Sequence, residues 1–447
     1  MRKPFALLSI VMSAVFFTTC TSTQKETREL DEPASFTAGQ QGPTSLQVAK
    51  GRPILYLDFP SKKGDPVVIR GVYQDGRRVQ SGIQNTLTMP TWSIDGEWFA
   101  YVIGDPITTW TSFVIKDPTT TEATLAMSNM RGDVRTLYKT KRERILVPPI
   151  WSPDGRRIAV ILVGSGSSPL SIAVLEVGSQ KVSSRFELSA TPSHPISGSD
   201  MSLSLEVFRS NYDPNRPTLR LNKFRWSPDG QKILLSWITT LVINTLTGAV
   251  ETVADKPVLA EWAANSDGVY YFELLSESPH DEPYSGGITL GNFYFKPLGA
   301  EMPNKLMDKE HLEVLGVTKW TGQRYGFMSL SPMASKLAIK GYDPAGGSVV
   351  HIYSLTEGGT LALDKPLKSI RTSDGIMALE WAPDDSSLAA VVIAKGSMTL
   401  LVKLLDLGTA EWRTLAKIAE DLSGNFNLYE GVAHLYAYGH RTLSWTY

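Results

Sequence analysis

The sequence predicts an all-β protein, a single closed ring of four-stranded antiparallel sheets. Three observations carry this. A short turn, Trp-Ser-Pro-Asp-Gly in its fullest form, recurs ahead of apolar strands. A second pair of apolar runs follows each copy. The first and last apolar runs of the repeat region lack a complete unit of their own. Composition agrees: of 447 residues, 42% are hydrophobic and 20% charged, as in globular chains. The 36 Gly and 27 Pro are scattered, which suits many short strands joined by turns. A net charge of -1 argues against a nucleic-acid binder driven by bulk charge. With one Cys, neither an intrachain disulfide nor a cysteine metal cluster can form.

In chain order, Met1-Arg2-Lys3 is a basic start and Phe5 to Phe17 an apolar run. A charged start before a short apolar stretch predicts a signal peptide over residues 1–19, too short for a membrane span of about 20 apolar residues. Phe17-Thr18-Thr19-Cys20 resembles a lipobox. The resemblance implies cleavage before Cys20 and acyl chains on its sulfur and new amino group. It places the protein in a bacterial envelope, held to a membrane by the lipid on Cys20. The outer membrane facing the periplasm is expected, with the cell surface as an alternative. The competing reading is an ordinary signal peptide with an incidental cysteine. Acyl chains hold by burying methylenes at ~0.8 kcal/mol each, and two or more chains hold firmly. Residues 20–52 are polar and predict a flexible tether; residues 53–447 hold the repeats.

The turn occurs in full as Trp151-Ser152-Pro153-Asp154-Gly155 and Trp226-Ser227-Pro228-Asp229-Gly230, and nearly so as Trp92-Ser93-Ile94-Asp95-Gly96. Weaker copies are Trp262 to Asp267-Gly268, Leu330-Ser331-Pro332 and Trp381-Ala382-Pro383-Asp384-Asp385. Each has a mechanical reading. The residues up to Trp form a short strand, Pro fixes φ and ends pairing, Asp bonds the backbone two residues on, and Gly takes positive φ. A β-branched or aromatic strand follows. Each copy is therefore a hairpin, with a Trp large enough to fill the wedge between sheets.

Further apolar runs, such as Phe113-Val114-Ile115, Ile172 to Leu175, Leu241-Val242-Ile243, Phe293-Tyr294-Phe295, Val349 to Tyr353 and Leu400-Leu401-Val402, bring each unit to four strands. That is one blade of a β-propeller. Ile54 to Asp58 and Val67-Val68-Ile69 have no motif before them. Val432 to Tyr438 and Thr442 to Trp445 have no complete unit after them. Pairing of these N- and C-terminal strands would close the ring with a composite blade, giving seven blades. If the ends merely extend an existing sheet, the count is six.

The Trp-Ser-Pro-Asp-Gly repeat with its Ile-Ala-like strand resembles the TolB-type propeller repeat, a relative of the WD-repeat group, over roughly residues 53–447. The resemblance implies the fold; propellers host many functions. The expected function is a non-catalytic scaffold binding a protein or peptide, with no cofactor or metal. The alternative is a lyase-like propeller enzyme or carbohydrate-binding protein with a site at one end of the central channel. No Gly-x-Ser-x-Gly nucleophile turn occurs. The six His are isolated, so sequence-local metal ligation is unsupported. The acids Asp95, Asp154, Asp229, Asp267 and Asp384 read as turn-formers rather than an acidic ring. Residues 183–217 and 273–292 stand out as insertions, either binding loops or neutral excursions. The basic segment from Arg131 to Arg144 reads as a solvated hairpin, or as a surface for anionic lipid or an acidic partner.

Overall fold

The computed structural model describes residues 53–58, 68–72, 78–84, 86, 90–104, 123–141, 143–145, 148–163, 169–191, 194–195, 223–236, 239–256, 258–276, 288–314, 327–333, 335–343, 346–355, 365–397, 399–419 and 443–445. Cys20, the expected signal and the expected tether lie outside them.

Each turn motif joins an inner strand, ending at the Trp position, to the second strand of an antiparallel sheet. From the inner strand outward, blade 2 is Thr91–Trp92, Phe99–Gly104, Ala123–Ser128 and Val134–Thr140. Blade 3 is Ile150–Trp151, Arg157–Val163, Ser171–Glu176 and Lys181–Glu187, with Arg144–Ile145 also pairing to its second strand. Blade 4 is Lys223–Trp226, Lys232–Ser236, Thr240–Asn244 and Val250–Ala254. Blade 5 is Val258–Trp262, Gly268–Ser276, Ile288–Pro297 and Asn304–Met307. Blade 6 is Phe327–Leu330, Lys336–Tyr342, Ser348–Ser354 and Lys368–Thr372. Blade 7 is Gly375–Trp381, Ser387–Ile393, Leu400–Asp406 and Glu411–Ala419.

Blade 1 is made from both ends of the chain. Ile54–Asp58, Val68–Val72 and Arg78–Gln84 are its outer three strands, and Leu443–Ser444 is its inner one. Ser444 faces Leu55 and Leu443 faces Tyr56. Trp445 follows at the position that the motif Trp holds elsewhere. The described residues therefore form seven blades, with N- and C-terminal strands closing the ring.

Packing shows the closure directly. An apolar cluster lies between every neighbouring pair of blades. Leu57, Trp92 and Phe99 join blades 1 and 2, and Val102, Leu125 and Ile158 join 2 and 3. Ile172 and Trp226 join 3 and 4, and Val242 and Trp262 join 4 and 5. Phe293 and Leu337 join 5 and 6, and Ile352 and Trp381 join 6 and 7. Ile54 and Trp445 of blade 1 meet Val391 and Val402 of blade 7. Strand alternation makes this possible. Ile158, Val160 and Leu162 face blade 2, while Ala159 and Ile161 face blade 4. Burial on both faces is why the second strands are unbroken apolar runs rather than alternating ones.

Several expectations change. The third strand of blade 2 is Ala123–Ser128, and Phe113 to Ile115 lie outside the described residues. Ala123, Leu125 and Met127 reach the core on one face and Ala126 on the other. Small alanines between them leave no run of large apolar residues to notice. Val432 to Tyr438 also lie outside the described residues. A short helix, α1 (Lys309–Val314), was not foreseen; it buries Leu312 between blades 5 and 6.

Antiparallel order places the turns between first and second strands, and between third and fourth, on one face of the ring. This is the motif face. The second-to-third and blade-to-blade connections leave from the opposite face.

Candidate functional site

In the three fullest motifs the hydroxyls of Ser93, Ser152 and Ser227 donate to Asp95, Asp154 and Asp229. Those carboxylates accept the backbone N–H of Glu97 (2.9 Å), Arg156 (3.1 Å) and Gln231 (3.0 Å). Gly96, Gly155 and Gly230 follow with φ of 61°, 68° and 68°, the left-handed region that glycine enters without strain. Partial burial would raise the carboxyl pKa values of Asp154 and Asp229. The serine hydroxyl and backbone N–H bonds outweigh it and hold both below the ordinary range. These acids are occupied within their own turns.

The copy at Trp262 is set differently from the spacing expected. The left-handed position is Ser266, with φ of 63°, one residue before Asp267. Gly268 opens the second strand, and a Cβ there would lie 2.4 Å from the Phe295 ring. Its lack of a side chain serves close packing, not a turn. At Trp381 the turn acid is Asp384, which accepts the Ser386 N–H at 3.1 Å, and the left-handed position is Asp385 with φ of 57°.

The Trp side chains stitch blades together. The indole N–H of Trp151, Trp226, Trp262 and Trp381 donates to the carbonyl of Thr91 (2.8 Å), Ile150 (3.1 Å), Arg225 (3.3 Å) and Ser329 (3.1 Å). Each acceptor is the residue just before the motif Trp position of the preceding blade. Indole burial thus comes with its donor satisfied.

The left-handed turn residues make the same step backwards. Ser266 Oγ accepts the N–H of Asp229 in blade 4 at 3.0 Å. Asp385 reaches blade 6, whose motif, Leu330-Ser331-Pro332, has no acid of its own. Its carboxylate accepts Ser331 Oγ (2.6 Å), Ser335 Oγ (2.8 Å) and Met333 N–H (3.2 Å). Blade 7 supplies the acid that blade 6 lacks.

Ionisable groups converge on the inner strands of blades 4 and 5. Glu261, fully buried, accepts Lys223 Nζ at 2.5 Å and Arg225 Nη1 at 3.1 Å. It also accepts the backbone N–H of Trp262 (3.0 Å) and Leu330 (3.3 Å). Burial alone would raise its pKa; the Lys223 and Arg225 charges outweigh that and keep it below the carboxylate range. The charges tie blade 4 to blade 5, and the Leu330 N–H adds blade 6. On blade 6, Lys340 occupies the position that Ser236 holds on blade 4. Ser236 Oγ donates to Val258 O at 2.6 Å, and Lys340 Nζ donates to Ile376 O. Burial pushes the Lys340 ammonium down to about 7.

Other candidates are dispersed. His351 is buried and shares a hydrogen bond with Ser369 Oγ at 2.8 Å. His194 lies in a small hairpin, Ser189–Thr191 with His194–Pro195, and His311 on α1. His280, His434 and His440 lie outside the described residues. No group of three His, Cys, Asp or Glu among the described residues could hold a metal ion. The basic segment is the outer strand of blade 2 with its flanking turns, where the Arg135 guanidinium lies over Trp98. Strands take part of both expected insertions, up to Glu187 and Ser276 and again from Ile288. Sequence reading missed Glu261, Lys340, Asp385 and the motif role of Trp445. Only the last left a signal, a Trp ending a short β run at the chain's end.

No protein-family model and no curated protein matches the sequence. Among solved structures, the chain is similar to TolB from Acinetobacter baumannii, at 13% identity and a TM-score of 0.38, over 71% of this chain and 64% of that one. It thus spans less than two thirds of that TolB. It is similar to the β-propeller domain of the Trilobed protease from Pyrococcus furiosus, at 13% identity and TM-score 0.45, over 83% and 99% of the two chains. It is also similar to an acylaminoacyl peptidase from Pyrococcus horikoshii, at 12% identity and TM-score 0.43, over 81% and 52%. By its own strand pairing the chain is a β-propeller, and its Trp-Ser-Pro-Asp-Gly hairpins resemble the TolB-type repeat.

Proposed function

We propose that the protein is an envelope-anchored, non-catalytic scaffold that binds a protein or peptide on the face opposite the motif turns. One observation carries this reading. The connections at residues 105–122, 188–222, 277–287, 308–326 and 420–442 all leave from that face, against one of comparable length, 355–367, on the motif face. Long connections on a rigid frame are where binding concentrates. The enzymatic alternative needs ionisable groups free at a channel end, whereas Lys223, Arg225 and Glu261 engage one another. Anchoring follows from the Cys20 motif alone.

The test places a photo-crosslinking residue at Lys256 or Ser397, both on the connection-bearing face, in the full chain in its native host. Discrete protein adducts are expected. Absence of adducts, together with turnover of a polysaccharide by the purified protein, would replace the scaffold with an enzyme. Cys20→Ser should move the protein from membrane to soluble fractions; retention in the membrane would mean another attachment.

A further inference from the structure

Blades 4 and 5 are bound closely, and so are blades 6 and 7. Three residues, 255–257, join blade 4 to blade 5, and two, Ser373 and Asp374, join blade 6 to blade 7. Polar bonds cross both seams. Between blades 4 and 5 the Trp262 indole donates to Arg225 O (3.3 Å), Ser236 Oγ to Val258 O (2.6 Å) and the Gly299 N–H to Glu251 (2.8 Å). Between blades 6 and 7 the Trp381 indole donates to Ser329 O (3.1 Å), Asp385 accepts Ser331 and Ser335, the Ile376 N–H donates to Ser348 Oγ (3.0 Å), and Lys368 Nζ reaches Leu407 O.

The seam between blades 5 and 6 is built differently. Tryptophan stands at the end of the inner strand in every blade except blade 6, where Leu330 takes the position. Leucine has no ring N–H to bridge to the carbonyl of Glu261, the counterpart of the acceptors used in the neighbouring seams. Among the described residues, the bonds that reach blade 6 on this side are the Leu330 N–H to Glu261 at 3.3 Å and Lys223 Nζ to Met328 O at 3.4 Å. Both are longer than the common range of about 2.7–3.2 Å. Nineteen residues, 308–326, join the two blades, so the chain itself does not hold them together. The other long connections, 188–222 and 420–442, lead to blades whose tryptophans, Trp226 and Trp445, are in place.

Where the indole is missing, the connection supplies α1. Leu312 on this helix is 1% exposed and shares an apolar cluster with Leu290 and Phe293 of blade 5 and Met328 and Leu337 of blade 6. The Lys309 N–H at its start donates to Asn292 Oδ1 of blade 5 at 3.2 Å. A helix of six residues does not persist alone in water, so α1 depends on the seat of Leu312.

We propose that the ring has a built-in opening point, the seam between blades 5 and 6, with α1 as its latch. Blades 4 and 5 move as one body and blades 6 and 7 as another, because short connections and cross-seam bonds hold each pair. Departure of Leu312 unseats the helix and lets the two bodies part. Openings of this kind occur below the free energy of global unfolding in the units held least firmly. The connection that carries α1 leaves from the face proposed above for binding, but the opening does not rest on that reading.

Cysteine accessibility in the full chain tests this. Leu337→Cys, Ile158→Cys and Val392→Cys each place a thiol in one seam, between blades 5 and 6, 2 and 3, and 6 and 7. All three positions are fully buried and aliphatic, so loosening by the substitution itself is shared. N-ethylmaleimide labelling in native buffer is read by peptide-resolved mass spectrometry, which keeps Cys20 separate. Urea unfolding gives the global stability of each variant. Leu337→Cys should label ~tenfold or more faster than global unfolding allows, while the other two track global unfolding. Adding Leu312→Ala should speed labelling at position 337 by a further severalfold and leave position 158 tracking global unfolding. Labelling at 337 that only tracks global unfolding, earlier opening at 158 or 392, or an equal effect of Leu312→Ala at both positions overturns the proposal.

Discussion

Asp385→Gly should destabilise the ring by about 2–4 kcal/mol, although backbone conformation alone argues for no loss. Asp385 has φ of 57°, and the same turn position is glycine in blades 2, 3 and 4. A left-handed non-glycine residue costs roughly 1–2 kcal/mol, with Asp among the tolerant types. Glycine relieves that strain, but its freer unfolded chain costs ~0.5–1 kcal/mol, so the backbone effects nearly cancel. What remains is the carboxylate. Its removal takes an acceptor from Ser331 Oγ, Ser335 Oγ and Met333 N–H. Bonds to a charged group are worth ~1.5–3 kcal/mol net, and three sharing one acceptor do not add fully. Equilibrium urea unfolding, followed by both circular dichroism and tryptophan fluorescence, gives the change if the two probes coincide. A double-mutant cycle with Ser331→Ala should return a coupling of ~1–2 kcal/mol. Unchanged or raised stability, or zero coupling, would refute the idea that blade 7 completes the turn of blade 6.

Three further outcomes follow from the same geometry. Trp226→Ala should cost ~3–5 kcal/mol as a cavity between blades 3 and 4, and Trp226→Phe about 1–2 through the lost bond to Ile150; urea midpoints decide, and a change near zero for Ala would show the wedge is not filled by this ring. Glu261 has a depressed pKa, so its stabilisation is full above the unfolded value of about 4.5 and is lost as pH falls through the folded one. Glu261→Gln should cost ~2–3 kcal/mol at pH 7 and flatten that acid limb, because Lys223 and Arg225 keep partial hydration; an acid limb of unchanged shape would remove Glu261 from the account. For Lys340 the slope has the same sign but a different origin, since burial penalises its charged form: the unfolded chain binds its proton up to about 10.5 and the folded one only up to about 7, so stability rises with pH between those values. Lys340→Met should stabilise by ~2–3 kcal/mol at pH 6, with the gain fading towards pH 10, and a loss at pH 6 would show that its bond to Ile376 outweighs the burial penalty.

Much of the ring was readable before any coordinates. Trp, Ser, Asp and Gly at fixed offsets dictate a local turn whose bonds close within a few residues, so Trp151 to Gly155 and Trp226 to Gly230 determine their own conformation. The apolar strands after them announce sheets buried on both faces. The N- and C-terminal runs implied a shared blade for the same reason: a strand with no partner of its own must find one. Tertiary structure decided what depends on residues far apart in the chain. Asp385 and Ser331 are far apart in sequence and meet only because blades 6 and 7 stack. Glu261 looks like any strand acid until Lys223, Arg225 and the N–H of Leu330 surround it, and Lys340 is ordinary until the neighbouring blade buries it. The side on which the long connections emerge was likewise invisible, because it follows from strand direction within the closed ring and not from the composition of any segment.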